Sequence, residues 1–433
     1  KILERAAVIQ LQQYLSDNNL HAKAQSAYRQ FHSTETALIR VTNDILRAVD
    51  QHQEVVLVLL DLSAAFDTID HQALLRRMES RFGICGPALA WLKSYFLDRY
   101  QRVQIDNILS NPTPVTRGAP QGSVLGPLAF TMFSSPLEDI VNAHNLHCMI
   151  YADDTQLYIT FNPNEQPSIV SAIERCIVDI KCWMSTNMLM LNDSKTEIIH
   201  LHSRHIPHSP LPSLHIGESN VEPVPSARNL GVLIDNSMIM SQHVSNICKI
   251  ASYALYKIGR LRRYLDQAST EKLVHAFVTS RLDNCNSVLF GLPSCELDKL
   301  QRIQNAAARL VTRVNGRCHM KPVLRQLHWL PVRKRIIFKI LLTTFKAIHG
   351  LAPQYIQEII TIRTSARSLR SSSGILLEQP PLRLLKTAYG DRAFSASAPA
   401  LWNQLPSHIR NISSVNQFKS RLKTHLFTLI SDI

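Results

Sequence analysis

Two adjacent carboxylates, Asp153 and Asp154, lie between two apolar runs of strand-forming residues, at a position where a tight hairpin turn is expected. Neighbouring acids in a turn repel each other unless a cation neutralises them. Carboxylate oxygens are the ligands that hard divalent cations such as Mg²⁺ prefer. An Asp-Asp turn alone is more often a solvated loop, so the metal-site hypothesis needs a further acid in a matching position.

Asp61 is that further acid. It follows the apolar run 55–60, which has the pattern of a strand buried on both faces. If this strand lies beside the strand that carries Asp153 and Asp154, the three acids converge. Such a cluster can hold two metal ions about 4 Å apart and support displacement at phosphorus. The competing interpretation is that Asp61 caps a helix formed by residues 62–71.

A glycine-containing stretch, residues 117–127, lies between the two acidic sites. It holds three glycines, although the whole chain has only 13. Glycine permits positive φ and a close approach of the backbone to a ligand. The stretch leads into a helix-like segment, residues 128–140, and the backbone amides near its start could face an anion.

The order of these motifs resembles motifs A, B and C of reverse transcriptases. The motif sequences are most similar to those of the polymerases of non-LTR, LINE-type retrotransposons: LDLSAAFDTIDH, RGAPQGSVLGPLAF and YADDTQLY. Three further segments also resemble the family: the fingers segment at residues 25–37, motif D at 183–197 and the primer grip at 229–235. The resemblance covers residues 1 to about 240 with specific motifs, and the remainder more loosely.

The resemblance implies a role for individual positions. Asp61 and Asp153 match the acids that bind both metal ions, and Asp154 matches the third, more peripheral acid. The implied cofactor is a pair of Mg²⁺ ions, with Mn²⁺ as an alternative. Lys195 matches a lysine proposed to protonate the pyrophosphate leaving group, although a solvated lysine is the competing interpretation. The positions implied to bind the nucleotide are Leu62, Ser63, Ala64, Ala65, Phe66, Gln121 and Gly122.

Each group of nucleotide-binding positions has its own implied task. The backbone amides of residues 62–65 would face the triphosphate. Phe66 matches an aromatic residue that excludes a ribose 2′-hydroxyl, and a core aromatic is the competing interpretation. Gln121 matches a residue that contacts the nucleotide near its sugar and phosphates.

Charge is distributed unevenly along the 433 residues. Residues 1–250 contain 19 Lys and Arg against 24 Asp and Glu, whereas residues 251–433 contain 28 against 9. The net charges are therefore −5 and +19, which together give the +14 of the whole chain. This asymmetry favours a nucleic-acid-binding half joined to an acidic catalytic half. A solvated basic surface without a partner is the competing interpretation.

The periodicity predicts an α+β fold that becomes mostly helical after about residue 236. The resemblance implies that this fold is of the right-hand polymerase type, with fingers and an antiparallel palm sheet, a helical thumb and a mostly helical basic C-terminal region. We expect N-terminally truncated fingers and palm at residues 1–235, a thumb at 236–320 and the basic region at 321–433. An amphipathic helix is predicted at 34–50. Strands are predicted around 102–105, 148–160, 197–201 and 230–234, and three helices with basic flanks between 236 and 320.

The favoured function is an RNA-directed DNA polymerase of a LINE-type element, extending a primer 3′-hydroxyl with dNTPs on an RNA template. The alternatives are a nucleic-acid-binding relic or domesticated protein without the chemistry, and a maturase similar to those of group II introns. No secretion signal and no apolar run long enough to span a membrane occurs. We expect an intracellular protein, and the resemblance implies the nucleus. The eight cysteines form no C-x-x-C pair. The oligomeric state and the role of residues 321–433 stay open.

Overall fold

The computed structural model describes residues 1–63, 66–204, 206–217, 219–363, 374–381 and 387–429, so the predicted positions Ala64 and Ala65 lie outside the described residues. The chain divides into two compact units. Unit 1 comprises Lys1–His32, Val55–His200 and His208–Val224. Unit 2 comprises Ser33–Glu54, Leu201–Pro207 and Pro225–Ile433. The domain boundaries at 235 and 320 stay predictions.

The α-helices of the described residues, in chain order, are α1 (Ile2–Asp17), α2 (Thr34–Asp50), α3 (His71–Ser80), α4 (Gly86–Phe96), α5 (Gly126–Phe133), α6 (Pro136–Ala143), α7 (Gln166–Thr186), α8 (Ser241–Leu261), α9 (Gln267–Val274), α10 (Ser280–Leu282), α11 (Ser294–Thr312), α12 (Met320–Gln326), α13 (Val332–Ile348), α14 (Gln354–Gln357), α15 (Ala388–Arg392), α16 (Phe394–Asn403), α17 (Ser407–Arg410) and α18 (Val415–Thr428). A π-helical turn, His275–Thr279, joins α9 to α10.

The strands are β1 (Glu54–Leu60), β2 (Leu62–Ser63), β3 (Arg99–Gln101), β4 (Gln104–Ile105), β5 (Ile108–Leu109), β6 (Thr113–Val115), β7 (His147–Tyr151), β8 (Asp154–Phe161), β9 (Met190–Leu191), β10 (Glu197–Leu201), β11 (Leu214–Ile216), β12 (Ser219–Val221), β13 (Ser226–Asn229) and β14 (Val232–Asp235). The predicted strand at 102–105 is only partly correct, because β3 ends at Gln101 and β4 begins at Gln104.

The central sheet of unit 1 has four strands in the order β10-β1-β8-β7. β7 and β8 form an antiparallel hairpin in which Tyr151 pairs with Asp154. Six of the seven residues of β1 are buried, as expected for a strand covered on both faces. The predicted adjacency of the two acid-bearing strands is therefore confirmed, since β1 and β8 are neighbours.

Two helix predictions for unit 1 are wrong. No helix follows Asp61 directly; residues 62 and 63 form β2, and α3 begins only at His71, where the side chain of Asp70 caps it by accepting from the Ala73 amide at 2.8 Å. The single helix predicted at 128–140 is instead α5 and α6. The break falls before Pro136, which cannot donate the backbone hydrogen bond that a continuous helix requires.

Unit 2 begins with α2, which confirms the helix predicted at 34–50. Ser33 and Thr36 form a reciprocal capping box at its start, which satisfies backbone groups that have no partner within the helix. The three helices predicted after residue 236 correspond to α8, α9 and α11. Helix α8 buries Ile247, Ala251 and Ile258, whereas Ile250 and Leu261 are exposed.

The C-terminal part of unit 2 packs around α13. A second apolar core joins α13, α16 and α18, with the rings of Phe345 and Phe418 stacked 4.2 Å apart between centroids. Burial of these rings adds to the stabilisation that the aliphatic side chains of the same core supply. The mixture of helices with antiparallel strands confirms the predicted α+β class.

Within the described ranges, no helix is both long and apolar enough to cross a membrane. All eight cysteines are free thiols.

Candidate active site

The hairpin between β7 and β8 presents the acidic pair. Ala152 and Asp153 form its two-residue turn, and Ala152 adopts a positive φ of +59°. Positive φ in such a loop gives the backbone the twist that joins two antiparallel strands. Asp153 is half-buried, whereas Asp154, the first residue of β8, is exposed. A rigid strand end therefore holds both carboxylates.

A buried glutamine fixes this turn. The side-chain oxygen of Gln25 accepts from the Ala152 amide at 3.0 Å, and its side-chain nitrogen donates to the Ala152 carbonyl at 3.3 Å. The same oxygen accepts from the Ala27 amide at 2.9 Å, and Gln25 is 3% exposed. Its neighbours extend the contact through backbone bonds from Ser26 to Ile150 and from Ile150 to Ala24. The segment predicted to belong to the fingers thus stabilises the turn that carries Asp153 through these hydrogen bonds.

Asp61 leaves β1 beside the segment predicted to be motif D. Strand β2 pairs with β9, so that Leu62 lies opposite Leu191, and the Asn192 amide donates to the Asp61 carbonyl at 2.9 Å. The ammonium nitrogen of Lys195 lies 3.2 Å from the Asp61 Oδ2 atom. Lys195 is two-thirds exposed, so the pair is a solvent-screened one. The structure therefore places Lys195 beside Asp61.

Electrostatics link the three acids. The pKa of the Asp154 carboxyl is raised, first by partial burial and then by the negative charges of Asp153 and Asp61. The pKa of Tyr28 is raised as well, by burial and then by Asp153 and Tyr151. Both shifts indicate that negative charge accumulates at this end of the sheet. An added cation would relieve the repulsion.

The glycine-containing stretch docks on the segment that follows Asp61. The Gly118 amide donates to the Ile69 carbonyl at 2.8 Å, and the Ala119 amide donates to the Phe66 carbonyl at 2.9 Å. His71, which is buried, bonds the Gly118 carbonyl through its Nε2 atom at 2.8 Å. Gly118 has a φ of +83°, and a Cβ atom there would lie 2.8 Å from the Asp67 carbonyl oxygen. The close approach requires glycine.

The predicted sugar-selecting and nucleotide-contacting residues lie on either side of this contact. Phe66 is half-buried, and its ring lies 4.8 Å from that of Phe130 between centroids, so it also packs against the core. Gln121 is exposed in the turn after Pro120, and Gly122 has a φ of +73°. In the described part of the chain, Gln121 makes no hydrogen bond with the three acids.

The start of α5 does face an anion, but the anion is a side chain of this protein. The Glu4 carboxylate accepts from the Val124 amide at 2.6 Å and from the Leu125 amide at 3.3 Å. Burial opposes ionisation of Glu4, but the hydrogen bonds from the Val124 and Leu125 amides favour the charged carboxylate, and its pKa is lowered. The carboxylate of Glu4 therefore bonds the amides just before α5, which the sequence predicts could face an anion.

The three carboxylates are chemically suited to bind a hard divalent cation. Asp61, Asp153 and Asp154 offer only carboxylate oxygens, the ligand type that Mg²⁺ and Mn²⁺ prefer. Among the residues that the structure describes, however, no group of three or more His, Cys, Asp or Glu side chains is close enough to hold a metal ion. If a divalent ion binds at this end of the sheet, these three carboxylates are the groups that would hold it.

Sequence reasoning missed the roles of Gln25, Glu4 and His71. Each acts through backbone groups far away in the chain, at separations of 127, 120 and 47 residues respectively. The only available signal was the position of Gln25 in a segment that resembles the fingers. The fold and the acid-bearing hairpin together define a nucleotidyltransferase palm, in which two acidic strand ends lie side by side and the glycine-containing stretch bonds the segment that follows Asp61.

Residues 1–234 match the sequence model of the family described as reverse transcriptase (RNA-dependent DNA polymerase). The match covers more than half of the chain, and the chain belongs to this family. This confirms the resemblance predicted from the motifs.

The relatives are polymerases of mobile elements. The chain is 26% identical over 322 residues to the probable RNA-directed DNA polymerase from transposon X-element of Drosophila melanogaster, covering 72% of this chain and 34% of that protein. It is 26% identical over 258 residues to the RNA-directed DNA polymerase from mobile element jockey of the same organism, covering 57% and 27% respectively. The chain thus spans about a third of the length of these relatives. These relatives support the prediction that the chain is a reverse transcriptase of the LINE type.

Among solved structures, apo telomerase from Candida tropicalis is similar with a TM-score of 0.40 and 11% identity, over 74% of this chain and 49% of that one.

Proposed function

We propose that this chain carries the polymerase of a LINE-type retrotransposon and extends a primer 3′-hydroxyl with dNTPs on an RNA template. The observation that carries the proposal is the placement of Asp61 and the Asp153-Asp154 pair on neighbouring strands of a reverse transcriptase palm. The proposed partners are template RNA, primer DNA and dNTPs, and the proposed place of action is the nucleus.

Each site residue has a proposed task. Asp61, Asp153 and Asp154 would hold two Mg²⁺ ions, or Mn²⁺ in their place. Bound ions of this kind activate the attacking hydroxyl and stabilise the charge that develops on the phosphate. Lys195, beside Asp61, donates a proton to the departing pyrophosphate.

The nucleotide is positioned by residues on both sides of the docked glycine loop. Phe66 occupies the space of a ribose 2′-hydroxyl and so excludes ribonucleotides, while its contact with Phe130 fixes the ring. Gln121 and Gly122 contact the sugar and phosphates, and the backbone amides of residues 62–65 face the triphosphate. Gln25 holds the turn that carries Asp153.

Primer extension on an RNA template tests the proposal, with Asp153→Asn as the inactive control. Asparagine keeps the shape and one oxygen of aspartate but loses the charge that attracts a divalent cation. We expect extension to fall below a few per cent of wild type while RNA binding is nearly unchanged. Retained activity would refute the role of Asp153. RNA binding by a wild-type protein that extends no primer would instead support a catalytically silent relic.

A further inference from the structure

Helices α13 and α18 of unit 2 lie side by side and carry an unusual concentration of positive charge. They contain eight Lys and Arg and no Asp or Glu, with the charges at Arg333, Lys334, Arg335, Lys339, Lys346, Lys419, Arg421 and Lys423. Both helices are fully described. Their apolar faces are buried in a shared core through Phe345 and Phe418. The three cations of α18 and Arg333 of α13 are exposed, whereas the other four cations of α13 are partly buried.

Acids from other elements neutralise only part of this charge. Arg333 pairs with Asp298. Arg335 pairs with Asp283 and Lys339 with Glu35, at 2.6 and 2.9 Å respectively. Among the described residues, the other five make no ion pair within 4 Å. We call these five residues the α13–α18 seam: Lys334, Lys346, Lys419, Arg421 and Lys423.

The seam places like charges opposite each other at both ends. Burial and then the charges of Lys419 and Lys339 lower the pKa of Lys346. Burial and then Arg335 lower the pKa of Lys423. At the same end, burial, His408 and Lys334 lower the pKa of His425. The start of α13 therefore lies beside the end of α18, and the helices run antiparallel.

This arrangement weakens folding. A lysine whose folded-state pKa is lowered destabilises the fold below its unfolded pKa, and that cost disappears as the pH rises above it. The part of this cost that comes from repulsion between neighbouring cations is relieved when a polyanion supplies negative charge. No large apolar side chain of α13 or α18 is exposed, so the surface lacks the apolar anchors typical of a protein interface.

We propose that the α13–α18 seam binds the phosphate backbone of the RNA template. The choice of RNA as the ligand rests on the proposed function, whereas the choice of phosphate rests on the charges. From Lys334 to Lys346 the seam extends 12 residues along α13, or about 18 Å at about 1.5 Å per residue. It is therefore long enough to contact several successive phosphates, independently of base sequence.

The test replaces the three exposed cations of α18 in the full-length chain, as Lys419→Gln, Arg421→Gln and Lys423→Gln together. Affinity for a single-stranded RNA is measured from low to high salt. Each lost phosphate contact lowers the slope of log affinity against log salt by about 0.7, so we expect the slope to fall by about 2. At 0.1 M salt this corresponds to roughly 100-fold weaker binding, for an unchanged affinity extrapolated to 1 M.

The matched control removes the same charge from exposed positions on three helices of unit 1: Arg76→Gln, Lys93→Gln and Arg175→Gln. We expect its salt slope to match that of wild type. Thermal melting separates binding from folding, because relief of repulsion should leave the melting temperature of the α18 variant unchanged or higher. A merely structural role would lower it.

Three outcomes would overturn the proposal. The first is an unchanged salt slope in the α18 variant, and the second is an equal loss of RNA affinity in the control variant. The third is that the α18 variant binds RNA normally and loses affinity only for duplex DNA or polyglutamate. Primer extension by the wild-type protein is measured in parallel. Failure of extension would count against the proposed function alone, because RNA affinity is read without any nucleotide addition.

Discussion

Replacement of Gln25 by leucine tests whether the buried glutamine positions the acidic turn. The change keeps the approximate volume but removes two hydrogen bonds to Ala152 and one from Ala27. A net contribution of about 1 kcal/mol per bond, together with the cost of leaving buried backbone groups unsatisfied, predicts a loss of roughly 2 to 4 kcal/mol of folding stability.

The expected loss of activity is larger than the loss of folded protein explains. Without its hydrogen bonds, Ala152 can no longer hold the positive φ that orients Asp153. A displacement of about 1 Å at a reacting group can cost about 100-fold in rate. We therefore expect the rate of primer extension by folded Gln25→Leu protein to fall by about that factor.

Gln304→Leu is the matched control. Gln304 is also buried, and its side chain donates to the Leu330 carbonyl at 2.8 Å and accepts from Gln301 at 2.9 Å, all within unit 2. It should destabilise the chain comparably and leave the extension rate per folded molecule unchanged. Single-turnover extension is measured at a temperature where circular dichroism shows each variant to be folded. Extension by Gln25→Leu within threefold of wild type would refute the positioning role.

Three further substitutions have defined outcomes. Phe66→Val should raise incorporation of ribonucleotides relative to dNTPs, and an unchanged ratio in folded protein would leave Phe66 as a core residue only. Gly118→Ala should raise the KM for dNTPs and lower the melting temperature more than the control Gly86→Ala does. Both glycines have positive φ, but only at Gly118 would the added Cβ atom contact backbone atoms. Equal effects of the two substitutions would contradict this prediction. Asp50→Asn should cost about 2 kcal/mol or more of stability, read as a lower melting temperature, since hydrogen bonds to a charged group are lost; an unchanged melting temperature would contradict it.

The strands that carry the three acids could be predicted from the sequence because they depend on local patterns. The continuous apolar run of β1 predicted a buried strand, and the apolar, strand-forming runs on either side of Asp153 and Asp154 predicted a hairpin. These two predictions place Asp61 at the end of one strand and Asp153 and Asp154 at the end of the other. The family match then agreed with the motif order.

What the sequence did not predict depends on contacts between distant segments. The cap of α5 by Glu4 joins residues 120 positions apart, and no local pattern marks Glu4 as different from any exposed acid. The helix predicted after Asp61 failed for a related reason: pairing of Leu62 and Ser63 with β9 overrides local helix propensity.

Asp50 shows how the C-terminal region enters the fold. An aspartate in the last turn of α2 faces the negative end of the helix dipole, which is unfavourable for a carboxylate without partners. Asp50 is nevertheless fully buried, and its carboxylate accepts from the Thr387 amide and hydroxyl at 2.7 and 2.8 Å and from the Gly390 amide at 3.2 Å.

Further bonds attach the same C-terminal segment to other parts of unit 2. Arg392, whose pKa burial lowers to about 10, donates to the carbonyls of Met238 and Phe290. Ser395 donates its amide to the Asn43 side chain at 2.9 Å. A cut at the predicted boundary of residue 320 would remove Thr387, Gly390 and Ser395, the partners of Asp50 and Asn43 in α2, and would also remove the Arg392 bonds to Met238 and Phe290. Residues 387–395 therefore act as a clasp within unit 2, and the basic surface of α13 and α18 is part of the same folded body as α2.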